Sequence, residues 1–256
     1  SGEESLLYKK RDHEVLDEQN WRFEYKYRIP IQQYLKVRNY IQPYMEMDGY
    51  SKAAEGKKYL VRSLYYESIK LDAFHEKVEG DSDRIKFRIR TYVEREEEGQ
   101  AIRAEMKVRK GAVTEKHGTM ISVEEYRAFI GSRSWPEVRD EVMAEYERYV
   151  HLKTLRPVLL TQYRREGYRA RTHEEIRITF DHRVKSARSE SLFPEHPYFH
   201  EHHHGIIVLE IKCNKQQPEW LRKLAQENGL RIMSNSKYVQ GMMVSYPAVV
   251  TPSWSA

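Results

Sequence analysis

With one cysteine in 256 residues, Cys213, no intramolecular disulfide can form, and no apolar run reaches the ~18–20 residues of a membrane-spanning helix. There is no Walker-type phosphate loop, no GxGxxG and no internal repeat, which removes the nucleotide-binding folds that depend on glycine loops, and solenoids with them. An apolar N-terminal leader is also missing, and together with the low cysteine use this predicts a cytoplasmic protein. Charge is not scarce, but excess of one sign is. The 44 basic residues nearly balance 39 acidic ones, giving +5, too even for a bulk nucleic-acid binder.

What is present is charge in quantity. Charged residues make up 32% of the chain and the mean hydropathy is −0.83, while nineteen tyrosines supply apolar area with a hydroxyl that must find a partner. The charge is patterned. Arg84–Tyr92 alternates Arg84, Lys86, Arg88 and Arg90 with Ile85, Phe87 and Ile89, which is the period of a β-strand with one cationic face. Trp21–Ile29 repeats it with Arg22, Glu24, Lys26 and Arg28, and Ile102–Arg109 with Arg103, Glu105, Lys107 and Arg109. Glu175–Asp181 sets Arg177 and Asp181, and Ile206–Lys212 sets Glu210 and Lys212, opposite aliphatic partners. A single such strand reads most simply as one with a solvated basic face. Recurrence argues otherwise, because exposed ion pairs contribute only about 0–1 kcal/mol each. The expected fold is α+β, an antiparallel closed β-barrel with charged residues in its lumen and a coat of helices.

Residues 1–20 read as a charged lead-in, 21–246 as one domain and 247–256 as a tail. Helices are expected at Ile31–Ile41, after the N-cap Ser122 with Glu125 completing a capping box, from Pro136 to about Lys153, over Pro218–Glu227, and from Lys237 onward. Tyr59–Ser68 and Pro157–Arg165 are strand-like, whereas 49–56, 70–83, 111–118 and 186–205 read as connections. The last of these holds His196, His200, His202, His203 and His204, whose spacing matches no metal site.

Such a lumen suits a polyanion. Arg offers a planar fork and Lys a compact charge for phosphate oxygens, so Arg88, Arg90, Arg177, Lys26, Lys86 and Lys107 are candidate phosphate ligands, with Arg62 on the next strand. Glu210, helped by Glu24, Glu105 and Asp181, could hold Mg²⁺ or Mn²⁺, since hard ions use one or two carboxylates plus substrate phosphates. Each of these carboxylates could equally serve to neutralise a neighbouring cation. Stacking aromatics are not interleaved on the basic faces, so nucleic acid is not expected as a partner.

The ordered set RFEYK at 22–26, KFRIR at 86–90, EMK at 105–107, YRREGY at 163–168, IRITFD at 176–181, VLEIK at 208–212 and SNSKY at 234–238 resembles the VTC (vacuolar transporter chaperone) domain. That domain belongs to the triphosphate tunnel metalloenzymes, which include the CYTH proteins. The resemblance implies a polyphosphate polymerase that moves the terminal phosphate of ATP to a growing chain with a divalent metal. It places basic substrate contacts on Lys26, Arg88, Arg90, Lys107, Arg165, Arg177, Ser236 and Lys237, and the metal glutamate at Glu210. The first strand carries a single EYK instead of the ExExK of CYTH relatives, which favours the VTC branch. Tripolyphosphate or nucleotide hydrolysis, and polyphosphate binding without catalysis, stay open as alternatives.

Overall fold

The structure, a computed structural model, describes residues 23–79, 83–97, 99–172, 175–214 and 216–250. The lead-in at 1–20 and positions 251–256 of the expected tail lie outside the described residues. In chain order the elements are β1 Phe23–Pro30, α1 Ile31–Ile41, β2 Met45–Met47, α2 Gly49–Ala53, β3 Tyr59–Glu67, α3 Asp72–Val78, β4 Arg84–Thr91, β5 Ile102–Lys110 and β6 Val113–Ile121. There follow α4 Val123–Ser132, α5 Glu141–Leu152, β7 Arg156–Ala170, β8 Ile176–Arg188, β9 His200–Glu201, β10 Ile206–Cys213, α6 Glu219–Glu227, α7 Lys237–Ser245 and α8 Pro247–Val250.

The strands form one antiparallel sheet in the order β1-β10-β8-β7-β3-β4-β5-β6, with β2 added to β7 and β9 to β8. Among the described residues β1 and β6 share no ladder, so the α+β fold with its large antiparallel sheet is as expected, while the sheet curls without the hydrogen-bonded closure of the expected barrel. The curl is evident because Glu24 and Lys26 on one edge strand and Thr114 and Lys116 on the other line the same cavity. On the segment between α6 and α7, the Met233 N–H donates to the Lys26 carbonyl of edge strand β1 at 3.0 Å. A chain segment thus lies at the strand that a closed barrel would have paired with β6.

The period-two pattern assigns the faces. Phe87, Ile89, Ala104 and Met106 turn outward onto Tyr126, Phe129, Met143 and Tyr146 of α4 and α5. Tyr27, Ile29, Ile178, Phe180, Leu209 and Ile211 pack on α1 and α6 through Tyr34, Val37, Leu221 and Leu224. The capping box at Ser122 and Glu125 forms as the sequence predicts, and α1 has the expected bounds. A buried carboxylate fastens α1: Glu166 of β7 accepts from Tyr34, Arg38 and Tyr168 and faces His182 at 3.2 Å.

Several expected connections or boundaries change, among them 186–205, which holds the end of β8 and all of β9. Of the stretch 111–118, all but the turn at 111–112 belongs to β6, an edge strand whose outward positions are mostly exposed, so its sequence lacks the apolar alternation that marks half-buried strands. Residues 70–83 contain α3, whose N-cap is Leu71 and which carries no capping side chain of its own. Within 49–56, Asp48 caps α2 by accepting from the Ser51 N–H. Helix α5 starts at Glu141 instead of Pro136 because Asp140 supplies the cap to Met143.

Candidate functional site

The concave face of the sheet holds a cavity of about 200 Å³. Charged side chains of one parity reach it from six strands: Glu24 and Lys26 of β1, Arg84, Lys86, Arg88 and Arg90 of β4, Glu105, Lys107 and Arg109 of β5, Lys116 of β6, Arg165 of β7, and Glu210 and Lys212 of β10. Two helices complete it, α3 with Lys77 and α7 with Lys237, next to the N-cap Ser236. Twelve basic side chains meet three carboxylates on this lining, a formal excess of nine in one cavity against +5 for the whole chain. Helix α7 adds its positive N-terminal end.

The carboxylates divide by what they touch. Glu105, directly across from Arg88 in the β4–β5 pair, bonds Arg88 and also takes Arg103 and Lys116 at 3.4 Å each. Gly118 permits this, since a Cβ there would lie 2.5 Å from Arg103 Nε. Asp181 is fully buried behind the lining. Both its oxygens are engaged, by the Arg165 guanidinium at 2.7 and 2.9 Å and by Lys237 Nζ at 2.8 Å. Burial pushes the Asp181 carboxyl up, but Arg165 and Lys237 outweigh it and hold it at about 2. Lys237 and Arg165 both flank the ring of Tyr163, at 4.9 and 5.2 Å from its centroid.

Glu210 differs. It lies across from Lys26, takes Lys212 at 3.2 Å, has Lys237 at 3.9 Å, and shares a side-chain hydrogen bond with Glu24. Burial raises its carboxyl, yet these cations and that bond hold it well below the usual range. Two adjoining carboxylates open to the cavity are a donor set that suits a hard divalent ion whose remaining ligands are phosphate oxygens. Glu105 and Asp181, expected as helpers, are held more closely, Glu105 by Arg88 and Asp181 by Arg165 and Lys237, whereas Glu24 takes Lys26 at 3.5 Å and Glu210 takes Lys212 at 3.2 Å. Among the described residues no three His, Cys, Asp or Glu side chains converge as a self-sufficient metal centre.

Two lysines are held against their charge. Lys86 and Lys107 face each other across the β4–β5 ladder, and burial, reinforced by neighbouring lysines, lowers Lys86 well below its ordinary value and Lys107 to about 7. Lys86 reaches Ser236 Oγ at 3.5 Å and lies over the ring of Tyr238, 5.9 Å from its centroid.

Of the residues expected from sequence, Lys26, Lys86, Arg88, Arg90, Lys107, Arg165, Ser236, Lys237, Glu24, Glu105 and Glu210 share this cavity. Arg62 does not. It stands on the opposite parity of β3 and bonds Gln162 and the carbonyls of Glu94 and Leu192, outside the lining. Arg177 has the expected parity but reaches Tyr59 Oη at 3.3 Å and is not part of the lining either. Lys237, expected as a substrate contact, has only 11% of its side chain accessible because Asp181 draws it inward. Sequence reasoning overlooked Lys77 and Lys116, which sit in segments read as connections, and Tyr163, whose parity on β7 was the available signal. The histidines scatter to separate partners, His202 to Ser186, His203 to Gln240 and His204 to Glu201.

Among solved structures the fold is similar to that of a candidate adenylate cyclase from Bacillus halodurans, with 12% identity, a TM-score of 0.51, and 85% of this chain and 94% of that one covered. A candidate adenylyl cyclase from Hippeastrum, reported with a dominant triphosphatase activity, matches at 15% identity and a TM-score of 0.45 over 89% of this chain and 98% of its own. The PH1819 protein of Pyrococcus horikoshii matches at 14% identity and a TM-score of 0.43, covering 87% and 99%. No curated protein sequence matches. The model of the VTC domain family matches residues 21–246, the span that contains the curled sheet, its coat and the cationic cavity, and the chain belongs to that family.

Proposed function

We propose that this protein is a metal-dependent phosphotransferase of the polyphosphate polymerase type, moving the terminal phosphate of ATP onto a polyphosphate chain within the cationic cavity. The observation that carries this is the lining itself, twelve basic side chains against three carboxylates on a concave face. Phosphoryl transfer asks for positioning and charge stabilisation more than for a protein nucleophile, and that is what such a lining offers. Arg88, Arg90, Lys26, Lys107 and Arg165 would hold phosphate oxygens, with Lys237 and Ser236 contributing from the head of α7. Glu105 and Asp181 act as positioning residues that fix Arg88, Arg165 and Lys237 in place. Glu210 and Glu24 would hold Mn²⁺ or Mg²⁺. When bound, the ion supplies charge neutralisation on the transferring phosphate.

Hydrolysis of a triphosphate is the second reading, favoured by the size of the cavity. A cavity of 200 Å³ suits a short run of phosphoryl groups with the nucleoside or the rest of a chain outside. Incubation with γ-labelled ATP and Mn²⁺, resolved by chain length on a gel, separates the two. A ladder of labelled chains supports polymerisation, labelled orthophosphate alone supports hydrolysis, and tripolyphosphate binding without turnover leaves a binding module.

A further inference from the structure

Two cavity cations come from outside the sheet, Lys77 on α3 and Lys237 at the start of α7, and both helices are fastened to one carboxylate. Glu67, the last residue of β3 and 2% exposed, accepts the backbone N–H groups of Ser68, Ala73 and Phe74 at 2.8, 3.1 and 3.0 Å. Those bonds take the place of the cap that Leu71 cannot provide, Leu71 itself being left-handed at φ 58°. The other end of the link is Tyr238 of α7, whose hydroxyl donates to Glu67 Oε2. Phe74 of α3 packs in the same apolar cluster as Tyr238, Val239 and Met242 of α7.

Lys77 forms no hydrogen bond or ion pair of its own among the described residues. Burial first, and then the nearby charges of Arg84, Lys26 and Arg109 against the opposing pull of Glu24, bring its ammonium down to about 8. Lys237 is placed elsewhere in the cavity, against Asp181, Glu210 and Tyr163. A lysine set among cations without a partner is a cost to the empty protein that a polyanion removes.

We propose that α3 and α7 form a two-helix clamp on the bound phosphate chain, with Lys77 a substrate-binding residue and Glu67 the positioning residue that sets both helices. The proposal rests on the reading of the cavity as a phosphate-chain site. Calorimetric titration with tripolyphosphate in the absence of metal tests it, alongside thermal melts and ATP kinetics. Lys77→Met weakens binding about tenfold, the value of one lost charge-assisted contact, with an unchanged melting temperature, and Lys77→Arg restores it. In a Glu67→Gln background the same Lys77→Met change costs less than about twofold, because an unanchored α3 no longer presents Lys77. Tyr238→Phe keeps the ring in its cluster and deletes only the hydroxyl, so it serves where Glu67→Gln does not fold. There the cost of Lys77→Met falls to about threefold, and KM for ATP rises more than kcat falls. If wild type binds tripolyphosphate and Lys77→Met binds it equally well, or the Lys77 effect stays tenfold in both backgrounds, the clamp is wrong. If wild type does not bind tripolyphosphate at all, it is the reading of the cavity that falls.

Discussion

Lys107 carries the most direct consequence of crowding like charges in one cavity. Burial first, then Lys26 and Lys212 against the opposing pull of Glu24, lower its ammonium to about 7. Below that pH the free protein already holds the proton, and a polyanion binds without proton exchange. Above it the proton has left, and binding must take one up, so tripolyphosphate affinity falls by up to about tenfold per pH unit for one linked proton. Titration at pH 8 in two buffers of different ionisation heat reads the uptake directly. Lys107→Met should bind more weakly with less uptake, and equal uptake in wild type and variant would contradict the assignment.

Glu210 is argued from its surroundings in the same way. Glu210→Gln keeps the shape but removes a hard anionic donor next to Glu24, so metal-dependent turnover is expected to drop about 10–100-fold while the melting temperature stays within the range of surface variants. Metal-free tripolyphosphate binding should stay level or tighten, because Lys212 and Lys237 lose a competing carboxylate. A rate that keeps its metal dependence in this variant would move the metal away from Glu210.

Among the elements, α1 is held to the sheet by polar as well as apolar contacts. Burial raises the Glu166 carboxyl, but the bonds from His182, Tyr168 and Tyr34 and the Arg38 charge bring it down to about 2 from an ordinary 4.5. A depressed carboxylate stabilises the folded state fully above about 4.5, and the contribution is lost as pH falls toward 2. Glu166→Gln should therefore cost about 1–3 kcal/mol in urea unfolding at pH 7, through donors left without their charged partner, and distinctly less at pH 3. An equal cost at both pH values would mean that packing of Tyr34 and Val37, and not the charge, holds the helix. Element by element, strands β1, β4 and β5 were legible because alternate side chains of an extended chain point to opposite faces whatever the rest of the molecule does. Strand β6 and helix α3 were not. The first is defined by its ladder to β5, and the second by Glu67 bonding its first turn.

For the whole molecule, the mutual repulsion of the lining cations is a free-energy cost that the apolar coat must offset. Tripolyphosphate should relieve it, raising stability by about 2.7 kcal/mol at a hundredfold excess over Kd, and the gain should shrink as salt screens the exposed part of the interaction. Thermal melts at low and high salt measure both, and a shift insensitive to salt would argue against an electrostatic site.

Length, charge and strand parity are properties of the covalent chain, and they were enough to establish an α+β fold with a cationic inner face and to pick Lys26, Arg88, Arg90, Lys107 and Glu210 for one site. Parity says which side of a strand a residue takes, but not how far round a curved sheet it lies or which residue faces it. That is why Arg177, with the right parity, lies against Tyr59, and why Asp181 and Glu210, alike as isolated carboxylates, end up holding Arg165 in one case and facing Glu24 in the other. The edges of the sheet depend in turn on backbone hydrogen bonds between strands far apart in the chain. Whether β1 meets β6 or the segment at Met233 is therefore decided only once the sheet has curled.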